Sequence, residues 1–216
     1  MIPARFAVEY PERCLSLLGE LEPSARKHGL VASFSILVAS SAILIPYERM
    51  RSHHPMHRKG QDGDLSRALR SLDKKELFYN AHFWKESSPG DWRFSRIFTE
   101  LKDVGGWRDD DKRHPMAVDS KNTIALRNAG QVVRVIRNAL AHGNIVYLNT
   151  QGLEEEGTRV AFLAFLSRYE ETEAERKLAE TYRLLVTTEE SFLHFVKQWT
   201  AWVASFHGDV GIVKAA

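Results

Sequence analysis

Three residues in the stretch RVIRNALAHGNIVYL (134–148) combine the groups needed to bind an anion and move a proton: Arg137, Asn138 and His142. A guanidinium presents a planar fork of donors that matches phosphate oxygens. An imidazole can act as general base or acid. Asn138 and His142 are four residues apart, so on a helix they are surface neighbours and can hydrogen-bond, fixing which ring nitrogen holds the proton. A helix C-terminus carries partial negative charge and repels a phosphate. Binding there therefore needs cations, which Arg134 and Arg137 supply. Arg137 and His142 are five residues apart and point about 140° away from each other around the axis. One helix holds them awkwardly around a single phosphodiester, and a second copy related by a two-fold axis would close the site.

These side chains must be positioned by the helix that carries them. Apolar spacing predicts a helix over 123–142, stopped by Gly143, where a left-handed conformation costs glycine nothing. On its wheel Val132, Val133, Val135, Ile136, Ala139 and Leu140 fall on one broad side. Arg127, Gly130, Arg134, Arg137, Asn138 and Ala141 fall on the other, with His142 at the boundary. The spacing by itself is a cheap pattern: Arg49 and His54 repeat it beside Pro55, without an asparagine after the arginine.

Around this helix the pattern predicts helices over 6–20 and 24–45, the second entered at Pro23-Ser24 and ended by Pro46. Shorter ones follow over 64–72, 74–86 and 92–103, and a loop over 104–121 with Gly105-Gly106 and an exposed DDDK at 109–112. The stretches NIVYLN, TRVAFLAFLSR and TYRLLV read as strands within 145–186. Thr187 and Glu190 have capping-box spacing for a last helix over 188–206. Its stripe of Phe192, Phe195, Val196, Trp199, Trp202, Val203 and Phe206 reads as core. The aromatics between Phe78 and Phe98 read the same way. The expected fold is mainly α: a helical bundle with a small β-meander inserted before the last helix, in a single domain over 1–216.

Composition narrows the classes. A chain of 216 residues with 44% apolar content can bury a full core, and a net charge of +2 imposes no global field that demands nucleic acid. One cysteine, Cys14, excludes an internal disulfide and fits a reducing cytoplasm; it reads as a small buried hydrophobe. Charged residues interrupt any early apolar run that would make a secretory signal. The uncharged stretch 30–45 is shorter than the roughly 20 residues a membrane span needs, so the expectation is the most buried helix of the bundle and no membrane. RMRSHHPMHRKG (49–60) is too cationic for a metal site, and suits an RNA backbone or a solvated loop equally.

The words Arg-Asn-x-Leu-Ala-His-Gly-Asn resemble the signature of the HEPN superfamily (higher eukaryotes and prokaryotes nucleotide-binding). Its ribonuclease members carry arginine, commonly a polar residue next, and a histidine four to six intervening residues later, at the end of the third long helix. The resemblance implies a HEPN-like bundle and a metal-independent, cofactor-free endoribonuclease working as a homodimer. His142 would be general base or acid, Arg137 would hold the scissile phosphate, and Asn138 would orient the pair. Arg134, Arg127, Asn144 and Tyr147 are the expected substrate contacts. Cleavage would leave a cyclic phosphate, in a setting like a toxin or an anti-phage defence protein, with an antitoxin or regulatory partner. Some members of the family are silenced by nucleotidylation of a tyrosine two residues after the histidine; Asn144 stands there, and the nearest tyrosine is Tyr147. Other members only bind nucleotides or a protein partner. The alternatives are such a silent module, or a purely structural helical domain.

Overall fold

The computed structural model describes residues 6–49, 63–74, 76–84, 87, 90–98, 103–168 and 181–206. Five α-helices stand beside a four-stranded antiparallel sheet among these residues, so the fold is mixed α/β and the mainly α bundle is not what forms. The helices are α1 (Phe6–Lys27), α2 (Val31–Arg49), α3 (Gly63–Lys74), α4 (Ala129–His142) and α5 (Glu189–Ala204). The strands are β1 (Trp92–Ile97), β2 (Ile145–Leu148), β3 (Phe162–Ser167) and β4 (Tyr182–Thr188), in the order β1-β4-β3-β2.

The expected meander is present as β2-β3-β4, but the sheet gains β1 from a segment expected to be helical. In WRFSRI the parity is that of a strand. Trp92, Phe94 and Arg96 point to one face, and Arg93, Ser95 and Ile97 to the other. Pairing of the whole strand with β4, from Trp92↔Thr187 to Ile97↔Tyr182, overrides the local helical reading. The segment 74–86 forms only a short 3-10 turn at Phe78–Asn80 among its described residues. The 123–142 helix is likewise shorter than expected, with a 3-10 turn at Ile124–Leu126 before α4 proper.

Both faces of the sheet contribute to core clusters. Trp92, Phe94, Leu163, Phe165 and Leu185 join the helices in the larger core. Ile97, Leu148, Ala164, Leu166, Leu184 and Val186 meet Val104 and Trp107 of the 103–121 loop in the smaller one. That loop is a cover, not a solvated linker: Arg93 Nη2 donates to Ala117 O at 3.1 Å, and Asn122 donates to Trp92 O at 2.8 Å. Asn122 and Thr123 thereby clothe the outer edge of β1, where bare strand groups would invite pairing with another chain. Asp109, expected in an exposed DDDK, is buried and accepts the N–H groups of Asp111 and Arg113, each at 2.9 Å.

Helix boundaries shift for local reasons. α1 runs through Pro23, which lies on its exposed side, and ends in a Schellman cap at Gly29 (φ 68). There Leu30 N donates to Ala25 O at 2.8 Å and Gly29 N to Arg26 O at 3.2 Å. α2 continues past Pro46, whose missing N–H costs a single bond in the last turn. The cap of α5 is Thr188, one residue later than expected; its Oγ1 accepts Ser191 N at 3.1 Å, and Thr187 stays in the strand.

On their outer side α1 and α5 are joined by an ion-pair network. Arg26 forks onto both oxygens of Glu190, at 2.6 and 2.8 Å, and onto Glu22 at 2.8 Å, and Lys197 pairs with Glu22. Hydrogen bonding from Lys197 holds the Glu22 carboxyl below the usual range. The folded state therefore binds fewer protons there than the unfolded one. The stabilisation is complete above about pH 4.3 and is lost as pH falls through the lowered folded value. Glu189 has the opposite sign, because burial raises its pKa. We expect Glu22→Gln to cost about 1 kcal/mol at pH 7 and to lose less stability than the wild type on acidification. Urea titrations from pH 7 to pH 3 check this; parallel pH profiles for the two proteins would contradict it.

Candidate active site at the end of α4

α4 is fixed at both ends. Gln131 Oε1 accepts Asn128 N–H at 3.1 Å at its start. Gly143 closes it with φ 70 and ψ 20, its N–H reaching Ala139 O. Any side chain at this φ adopts a conformation that costs about 1–2 kcal/mol. The chain then enters the sheet at once. Asn144 O accepts Leu166 N at 3.0 Å, which ties the motif's exit beside Ser167.

The wheel's apolar side is buried as expected, with Leu140 half-exposed. Its polar side is not open surface. α4 packs against α2, α3, β3 and β4, and Gly130 is buried while Arg134, Arg137 and Asn138 are half-buried. Arg137 Nη1 donates to Asn138 Oδ1 at 2.7 Å, and Asn138 Nδ2 donates to the buried Ser167 Oγ at 2.9 Å. Asn138 thus braces the arginine against the sheet. The possible bond to His142 is not made; the amide's contacts go to Arg137 and Ser167 instead. His142 is exposed on the last turn, and its side chain has no hydrogen bond among the described residues.

Ser167 belongs to a row that sequence reasoning missed. It pairs with Arg183 of β4, and Arg183 pairs with Arg96 of β1, so all three lie on the helix-covered face. Arg183 is only 5% exposed. Directly opposed like charges disfavour a sheet, and here they place two more cations on the side where Asn138 and Arg137 sit. A signal was present: Arg183 is in phase with the inward Leu185, and Ser167 with the inward Leu163 and Phe165.

The remaining expected contacts are spread out. Arg127 lies over the Phe94 ring at 4.8 Å and bonds Thr123 Oγ1 at 3.4 Å. That places it at the far end of α4, roughly 20 Å along the axis from His142. It does not share a phosphate with His142 in one chain. Tyr147 Oη lies 3.3 Å from Ser33 Oγ of α2, and Asn144 is exposed immediately after the cap. Most of the basic stretch from 49 lies outside the described residues. No three His, Cys, Asp or Glu side chains cluster as metal ligands among the described residues. A cavity of about 380 Å³ opens beside Arg26, Asp91, Glu190, His194 and Lys197, and no motif residue lines it. The ion pairs described above and a Ser191–Asp91 bond of 2.8 Å satisfy the charges there.

Fold and site together define a sheet clasped between helices and a covering loop, with a braced basic helix end. No family model, curated protein or solved structure matches the chain.

Proposed function

We propose that this chain is a metal-independent endoribonuclease of the kind its HEPN-like motif implies, working in the cytoplasm as a homodimer in a toxin-like or anti-phage role. The observation that carries the reading is the braced arginine. Arg137 is locked by Asn138 onto a buried serine, while an unencumbered imidazole stands at the same helix end. Donors fixed before the substrate arrives stabilise developing charge without reorganising.

The ribose 2′-hydroxyl attacks the adjacent phosphorus as its proton passes to a base, and the bond to the 5′-oxygen breaks as that oxygen gains a proton. The products are a 2′,3′-cyclic phosphate and a 5′-hydroxyl end. His142 serves one of these transfers, and a second copy's imidazole supplies the other. Arg137 meets the charge on the non-bridging oxygens. An antitoxin or regulatory partner fits the same role.

Purified protein incubated with RNA in excess chelator should release fragments with cyclic phosphate ends. Failure of the wild type to cut, or equal cutting by variants of Arg137 and His142, removes the reading. A second reading, a silent module that binds a nucleotide or protein, is favoured by the missing orienting bond on His142, and it predicts RNA bound but uncut.

Ser167→Ala tests the brace. Losing one neutral hydrogen bond of about 1 kcal/mol should slow cleavage about fivefold, and Ser167→Thr, which keeps the hydroxyl, should restore it. Cleavage unchanged in Ser167→Ala would show that the brace has no part in the reaction.

A further inference from the structure

The two edges of the sheet differ. Along an antiparallel strand, alternate residues turn their N–H and C=O to opposite sides. On β1 the outward residues are Trp92 and Phe94, and the chain covers them. Phe94 N donates to Asn122 Oδ1 at 3.1 Å, Thr123 N to Phe94 O at 3.0 Å and Asn122 Nδ2 to Trp92 O at 2.8 Å. On β2 the phase is set by Leu166 N, which donates to Asn144 O at 3.0 Å. Val146 and Leu148 therefore turn to β3, and Ile145 and Tyr147 turn outward. Gly143 O takes up Ile145 N at 3.0 Å. That leaves Ile145 O and both backbone groups of Tyr147, which have no hydrogen-bond partner among the described residues. Ile145 and Val146 are only half-buried, and Tyr147 is 42% exposed. No lysine, proline or inward charge guards the strand IVYL against pairing.

The unpaired groups say what fits them. They are a strand's own hydrogen-bonding groups, so their complement is another extended chain. A second copy pairing β2 with β2 makes two bonds, because Ile145 N is already spent. An extended segment of a different protein makes three. Charge narrows the segment further. Besides Tyr147, the ionisable side chains of α4 and β2 are Arg134, Arg137 and His142, with no Asp or Glu, so acidic residues meet no like charge there. His142 precedes β2 by three residues, which puts its Cα at most about 11 Å from that of Ile145.

We propose that β2 accepts an extended acidic segment of a partner protein as an added strand of the four-stranded sheet, paired to Ile145 and Tyr147 and passing beside His142. The effect on cleavage rests on the nuclease reading; the docking does not. The probe is a synthetic peptide of alternating valine and glutamate, blocked at both ends and carrying a fluorophore. Its anisotropy should saturate with wild-type protein. Tyr147→Pro removes the outward N–H and spares the bonds to β3, a place where an edge strand tolerates proline. It should weaken binding about tenfold or more with an unchanged circular dichroism spectrum. Tyr147→Phe, which keeps the backbone, should bind as the wild type does. The same peptide with lysine in place of glutamate should bind about tenfold more weakly or worse. No saturable binding by the wild type, equal binding by Tyr147→Pro, or equal binding of the lysine peptide each overturns the proposal. So does a wild-type dimer that Tyr147→Pro splits, since β2 then pairs with a second copy. Should Tyr147→Pro fail to fold, amide exchange of the wild type decides: the peptide should slow exchange at Tyr147, and no slowing there overturns the docking. Saturating peptide should also slow RNA cleavage, and unchanged cleavage overturns the passage beside His142. Peptide bound through Tyr147 by a protein that cuts no RNA leaves the docking standing and removes the nuclease reading.

Discussion

His142→Ala is expected to lower the rate of RNA cleavage by about 10²–10⁴-fold, the range that a positioned general acid or base contributes. Its effect on stability should be within about 0.5 kcal/mol, because an exposed side chain that touches no special feature is removed at little cost. His142 fits that description: it lies on the last turn, and its side chain has no hydrogen bond among the described residues. A loss of activity with an unchanged melting temperature therefore isolates chemistry from folding. Arg137→Ala should cost a similar factor, about 10²–10³ for one lost electrostatic contact to the transition state. Its signature differs in two ways. It should weaken RNA binding and flatten its salt dependence, since a phosphate contact releases counterions. It should also lower the melting temperature, because Arg137 is half-buried and bonded to Asn138. Single-turnover cleavage and RNA binding measured at several salt concentrations distinguish the two variants. His142→Ala cutting within threefold of wild type would end the assignment of proton transfer to that ring.

Phe195→Ala is expected to destabilise the fold by about 3–5 kcal/mol, the cost of truncating a fully buried phenylalanine. Phe195 stacks on Trp84 with ring centroids 4.8 Å apart and planes 11° apart, and it meets Trp92 and Phe83 edge-on at 5.8 Å. These rings come from α5, from β1 and from the turn before it, so one truncation loosens the junction of helices and sheet. Total stability of a domain is about 5–15 kcal/mol, which makes the loss visible as a large fall in melting temperature. Phe195→Leu, which fills most of the space, should lose far less. A shift under about 1 kcal/mol for the alanine variant in urea unfolding would show that the aromatic cluster does not hold the two layers together.

Elements set by local pattern were legible in the chain. The 3.6-residue period of α4 and α5, the glycine stop at 143 and the three strands of the meander depend on neighbours within a few positions. So does the burial of Val132, Val133, Val135, Ile136 and Ala139, and so does the grouping of Arg137, Asn138 and His142 on one helix end. The sequence determined that a helix would be anchored on its apolar side and would carry those polar groups where it stops.

What the tertiary structure decided involves partners far apart in the chain. WRFSRI has too few residues for period to separate strand from helix, and only its pairing with β4, some ninety residues later, makes it β1. That added strand is what turns an expected bundle into a mixed α/β fold. Asn138 could have bonded His142 four residues on. Instead the sheet presents Ser167, 29 residues away, and the amide bonds there, because a buried hydroxyl that finds no partner costs more than a surface one. The same sheet carries Arg183 and Arg96 to the motif's side of the molecule. Local spacing selects elements and their faces; which faces meet is settled by long-range burial and pairing, and it is that meeting which braces Arg137 and leaves the imidazole of His142 exposed at the same helix end.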